Sequence, residues 1–269
     1  MSILLSGYYP EGIVFAADKN ATITKKSYEG VKRHVEPTAT KVPSWPHKKA
    51  VVGFVGLGEL AGLKMDEWMR IFIARYRDFN NIYGVAQALK KSIQADFDRD
   101  YPEGMDVSDS YLVIHLGGFT KKQGVHVPVM FHIWNHGDIN STTGEYPPAN
   151  RAFKLSEDVE RGFMGWENPD DYPNHVRERL QKMVEERRYL WFNNGFNFAA
   201  FNVFRDFIWH ALYRIHDAGF ATQLTGLDAR VAFCKMAVEV FGSYFTHHYD
   251  PDERSVGGGV DVVFIPWPT

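Results

Sequence analysis

The order of apolar runs constrains this chain most. Short β-branched runs come first, then two helical stretches, then strands again, then helices, then one last strand. Ser2–Tyr8 and Gly12–Ala17 are apolar and separated by Pro10-Glu11-Gly12, which predicts a hairpin. Lys49–Gly56 (KAVVGFVG) is a continuous apolar run, as in a strand covered on both faces. Residues 58–79 run without proline and predict one long helix. Residues 82–97 repeat Val85, Leu89, Ile93 and Phe97 every fourth position and predict a second. Tyr111–Leu116 and Val127–Trp134 read as strands, with Gly117-Gly118 and 121–124 as the loop between them. Residues 135–172 read as irregular. Helices are expected over 175–188, 196–216 and 227–245, and a strand over 256–265. Strand blocks alternating with helix pairs suggest packed layers, not a βαβ wind.

Composition narrows the function. The chain has 269 residues, ample for one large core, and a net charge of −3, which argues against a nucleic-acid partner. No apolar run reaches the roughly 18 residues of a membrane span. The single cysteine, Cys234, excludes an intrachain disulfide and a multi-cysteine zinc site. The N-terminus lacks the basic, uninterrupted apolar pattern of a signal peptide, so a soluble cytoplasmic protein without a membrane partner is expected. Aromatic residues make up 15% of the chain and crowd into 189–220, the mark of a helix buried on several sides.

Three motifs resemble the proteasome β-subunit family and its simpler bacterial relatives, within the N-terminal-nucleophile hydrolases. The first is Gly12-Ile13-Val14-Phe15-Ala16-Ala17-Asp18 followed by Ala21-Thr22. The second is Thr40-Lys41-Val42 followed by Ala50–Gly56, and the third is Ser255–Val262 with its three glycines. The resemblance covers residues 2–134 and 252–265. It implies an α+β fold, the four-layer αββα sandwich of that superfamily, formed by residues 1–269 as a single domain with a divergent insertion around 135–200. It also implies a homo-oligomeric ring or larger symmetric assembly and a peptide or amide substrate, with no cofactor and no metal.

The resemblance places the nucleophile at Ser2, one residue behind the initiator Met1. After Met1 removal the α-amine of Ser2, with a pKa near 7.7–8.0, is suited to act as base. Lys41 is then the buried cation beside the hydroxyl, Asp18 its counter-ion, and the Gly56 N–H the oxyanion donor. Asp252, Glu253 or Ser255 supplies the polar group that supports the amine. Lys32 and Arg33 compete with Lys41; Lys41 is preferred because the stretch from it to Gly53 then fits without gaps. Arg161-Gly162-Phe163-Met164-Gly165 carries Met where the family has Ser, which keeps a second reading open: a catalytically inactive proteasome-like structural or binding subunit.

Two rival motifs remain. Gly56-Leu57-Gly58-Glu59-Leu60-Ala61 after an apolar strand matches a dinucleotide fingerprint, with Asp78 as the distal acid. His247-His248 with Asp250 and Asp252 is the densest cluster of metal-ligand types and reads as solvated loop. His132 and His136 are expected at a strand edge, and Cys234 in the core.

Overall fold

The computed structural model describes residues 2–27, 30–36, 38–137, 148–158, 172–186, 189–195, 198–218, 226–248 and 258–268. The chain is a mixed α and β protein whose described strands all pair antiparallel. The first hairpin forms as expected, β1 (Ile3–Tyr9) with β2 (Gly12–Asp18). The polar stretch after it is a second hairpin, β3 (Ala21–Ser27) with β4 (Gly30–Glu36), joined to no other strand among the described residues. β5 (Ala50–Gly56) is the apolar run.

The expected helix over 58–79 is shorter. A small hairpin, β6 (Glu59–Leu60) with β7 (Leu63–Lys64), precedes α1 (Met65–Arg75). Ala61 and Gly62 turn it with φ of 58° and 72°, a conformation no helix tolerates. α2 (Ile82–Asp100) follows, its N-terminus capped by the Asn81 side chain. β8 (Leu112–Lys122) and β9 (Val125–His136) are longer than expected, and Gly117-Gly118 lies inside β8; the turn is at Gln123-Gly124 instead.

The supposedly irregular region contributes β10 (Ala149–Glu157), which pairs with β9. His132 and His136 therefore lie on an interior strand, not an edge. α3 (Tyr172–Glu185), β11 (Leu190–Gly195), α4 (Phe198–Asp217), α5 (Leu227–His248) and β12 (Val260–Pro266) complete the chain. β11 was not foreseen, because its six residues sit in the aromatic run read as helix.

One sheet has the order β11-β1-β2-β12, the other β10-β9-β8-β5. Three buried clusters follow. α1 and α2 cover the outer face of the second sheet through Trp68, Phe72, Leu89, Ile93 and Phe97. The two sheets meet through Leu4, Phe15, Val51, Val55, Val113 and Met130. α4 and α5 cover the outer face of the first sheet through Trp209, Phe233, Cys234 and Phe241. The sheets approach closely at Gly53, where an added Cβ would lie 2.5 Å from the Leu4 side chain. A polar bridge crosses the same space, from Ser6 Oγ on β1 to His115 Nδ1 on β8 at 2.8 Å.

The antiparallel pairing of β5 with β8, and the small hairpin behind Gly56, remove the dinucleotide reading. That motif needs a strand feeding directly into a helix within a parallel unit. Among the described residues, no helix is long and apolar enough to cross a membrane, and no group of three or more His, Cys, Asp or Glu is placed to hold a metal ion. His247 and His248, read as loop, instead end α5, and Asp250 and Asp252 lie outside the described residues.

Candidate active site

Three side chains from separate elements converge at one end of the first sheet. Ser2 precedes β1, Asp18 ends β2, and Lys41 follows the β3–β4 hairpin. Lys41 Nζ donates to Ser2 Oγ at 2.6 Å and to both Asp18 carboxylate oxygens at 3.2 Å. It also donates to the Asn20 carbonyl, which accepts from Ser2 Oγ at 3.3 Å as well. Asp18 Oδ1 accepts the Ile3 N–H at 2.7 Å, so the carboxylate fixes the start of β1 as well as the lysine. Lys32 and Arg33, the competing cations, stand in β4 at register with Lys25 and Thr24.

Burial governs the electrostatics. Ser2 is 3% exposed, and Asp18 and Lys41 are each 1% exposed. Burial pushes the Asp18 carboxyl up from its ordinary value, against the pull of the Lys41 ammonium and the Ile3 N–H. Burial pushes the Lys41 ammonium down, against the fields of Asp18 and Asp261. Each charge tolerates the interior because the other is 3.2 Å away. A lysine held below its usual range, in hydrogen-bond contact with a serine hydroxyl, is suited to assist that hydroxyl's deprotonation.

Gly56 lies on the neighbouring strand. The main chain of Lys41 is tied to β5, the Phe54 N–H donating to the Lys41 carbonyl at 3.1 Å. Gly56 lies two residues further on, with φ of 111°. A Cβ there would lie 2.1 Å from the Tyr111 carbonyl oxygen, so the site of this N–H is open only to glycine. Asp252 and Ser255, with Glu253, lie outside the described residues.

The structure adds groups that the sequence did not single out. Asp261 on β12 accepts the Lys41 N–H at 3.1 Å through Oδ2 and pairs with Lys19 at 3.2 Å through Oδ1. Its signal was present: a carboxylate in the apolar run Val260–Ile265, at register with Ala17 beside Asp18. Tyr111, beside Gly56, has its phenol pushed up to about 12 by burial and by the charge of Asp18. The Asn20 carbonyl is a backbone group, which no side-chain motif announces.

No protein-family model and no curated protein matches the chain. Similar solved structures include Anbu (ancestral beta-subunit) from Yersinia bercovieri, at 16% identity and a TM-score of 0.49, covering 98% of this chain and 81% of that one. Another is the Anbu (Gly-1) mutant from Hyphomicrobium sp. strain MC1, at 15% identity and a TM-score of 0.46, covering 99% and 82%. These findings correct the resemblance to the proteasome β-subunit family: the solved structures similar to this chain are of Anbu, a proteasome-like but distinct family. At this identity and these TM-scores the likeness carries no site role or activity to this chain.

Proposed function

We propose that this protein is an N-terminal-nucleophile hydrolase that cleaves peptide or amide bonds through Ser2 once Met1 is removed. The observation that carries the reading is the Ser2–Lys41–Asp18 constellation. A hydroxyl, an ammonium 2.6 Å from it and a carboxylate behind the ammonium are all withdrawn from water. The freed Ser2 amine takes the hydroxyl proton as Oγ attacks the amide carbonyl. The Gly56 N–H receives the oxyanion. Collapse passes the proton to the departing amine and leaves an ester on Ser2. Water then attacks the ester, giving its proton to the Ser2 amine, which passes it to the departing Oγ as the acid is released. Lys41 holds its charge beside the reacting oxygen throughout, and Asp18 and Asp261 hold Lys41. Asp252 and Ser255 are proposed to support the amine. The three clusters support an αββα sandwich formed by the chain as a single domain, and we propose that it works as a homo-oligomer.

A second reading has its own observation. Ser2 is 3% exposed, as in an inactive subunit that keeps the ion pair for stability. Intact mass and turnover separate the two. The first expects a chain beginning at Ser2, hydrolysis of fluorogenic peptides, and loss of hydrolysis in Ser2→Ala. A chain retaining Met1, with no turnover in either form, establishes the second.

A further inference from the structure

We propose that the N-terminus of α5 is a second binding site, built to take a phosphate-type oxyanion once the Glu11 side chain swings aside. It lies away from Ser2 and does not depend on the role given to that residue. Ser2 precedes β1, and Glu11 sits in the turn beyond the other end of that strand. The seven residues Ile3–Tyr9 stand between them, roughly 23 Å of extended chain. Arg230 forms the floor of the site. It is one turn into α5 and 3% exposed. Its guanidinium carbon lies 4.6 Å from the Tyr189 ring centroid and 5.3 Å from those of Tyr9 and Trp209, so three aromatic rings hold it in place. Nη2 donates to the Tyr189 hydroxyl at 3.0 Å and to Glu11 Oε1 at 3.4 Å. Glu11 Oε1 also accepts the Gly226 N–H at 3.2 Å, which aims the guanidinium at the start of the helix.

The resident pair is poorly matched. Arg230 Nε and Nη1 are buried and have no hydrogen-bond partner among the described residues, and the same holds for Glu11 Oε2. Each of these groups has given up water without a replacement, which native structures rarely tolerate without a reason. The two bonds that Glu11 Oε1 does make are long for charged partners. Glu11 is therefore a placeholder at an anion site. Its side chain is 25% exposed and is carried by the Pro10-Glu11-Gly12 turn, so it has a way out. Room lies beside the helix start, where a Cβ built on Gly226 would meet nothing within 4 Å. A phosphate suits these donors better than a carboxylate does. Glu11 already offers a carboxylate and leaves two guanidinium nitrogens idle. A phosphate brings more acceptor oxygens and up to two charges, enough to take Nη1 and Nη2 side by side together with the Gly226 N–H. The dipole of the 22-residue α5 favours the same charge. The Tyr189 hydroxyl, 3.4 Å from that of Tyr213, is a further polar group at the rim. Asp228, the acid of the first turn, is exposed, and water screens it from the site.

The test follows the melting temperature of the full chain while inorganic phosphate replaces chloride at constant ionic strength and pH, with acetate as the carboxylate control. Calorimetry then gives the affinity. Phosphate is expected to raise the melting temperature saturably, and acetate to leave it unchanged. Glu11→Gln is expected to bind phosphate about tenfold tighter, because the competing carboxylate and its repulsion are gone. Arg230→Met is expected to lose the phosphate response while circular dichroism shows the helices kept. Should that variant not fold, Glu11→Gln decides alone. Glycerol 3-phosphate run beside inorganic phosphate separates a small phosphate ester from the free ion as the source, and tighter binding of either one keeps the site. Absence of a saturable phosphate effect in both the unsubstituted chain and Glu11→Gln overturns the proposal. So does acetate that matches phosphate, a Glu11→Gln affinity that is unchanged or weaker, or a folded Arg230→Met that still responds. Peptide turnover plays no part in these readouts, so failure here leaves the Ser2 reading standing, and failure of that reading leaves this site standing.

Discussion

At the scale of single residues, two buried polar groups dominate the expected responses. The first is the Asp18–Lys41 pair. Removing one partner of a buried pair strands the other charge, at a cost of about 3–5 kcal/mol. Asp18→Asn is therefore expected to lower urea-unfolding stability by that amount, and Lys41→Met similarly. The combination of Asp18→Asn with Lys41→Met should cost well under the sum, because neither charge is left behind. Additive losses in that cycle would mean that the two charges are not coupled. The second group is the imidazole pair. Burial drives His115 well below its ordinary value, and burial with the nearby His136 charge takes His132 down to about 3. Both folded pKa values lie below the unfolded value of about 6.5, so the unfolded chain binds protons that the folded chain refuses. Stability is whole above about pH 6.5 and is lost as pH falls from there toward 3. At pH 5 the His132 share is about 2 kcal/mol. Urea midpoints measured between pH 7.5 and pH 5 should fall accordingly, and His132→Gln should flatten the slope.

At the scale of elements, Gly56 shows how one position ends a strand. Its φ is 111°, and a methyl added there would lie 2.1 Å from the Tyr111 carbonyl oxygen; backbone cannot yield as a side chain does. Gly56→Ala is expected to cost about 3 kcal/mol or more. Gly62→Ala is the control, since its φ is 72° but nothing lies within 4 Å; it should cost about 1 kcal/mol. Thermal melts that rank the two variants equally would remove the steric argument. The same contrast explains what the sequence made legible. β1, β2 and β5 are readable because, apart from Asp18 at the end of β2, their residues are apolar or small and buried from both sides. Ser2, Asp18 and Lys41 were readable through motif spacing, and they converge. β11 was not, because its signal, Trp191 and Phe192, is the same aromatic signal that α4 carries. The β6–β7 turn was hidden because Ala61 adopts a positive φ that its residue type does not advertise. Asp261 was passed over because alternation marks which face a residue occupies, whereas its partner, the Lys41 backbone, is set by the tertiary arrangement.

At the scale of the whole molecule, α4 has two unlike faces. Arg205 and Trp209 turn inward, with Arg205 stacked over Trp191 at 4.6 Å and Trp209 wedged against Tyr189 and Phe233. On the opposite face, Val203 and Phe207 are 73% and 69% exposed, a separation of four residues that sets them side by side on the helix. Arg205 is itself buried, its charge spent on the inner face. A valine and a phenylalanine adjacent on this helix form an apolar spot that water disfavours, of the kind that self-association covers. Light scattering on the full chain is therefore expected to give a mass above that of the monomer. Val203→Lys/Phe207→Glu should reduce it, with the melting temperature of the subunit nearly unchanged because neither side chain is part of the core. A monomeric mass in the unsubstituted chain would show that this spot is tolerated in water and that the homo-oligomer is wrong. A fall in mass with a matching fall in melting temperature would assign the two side chains to the subunit's own packing.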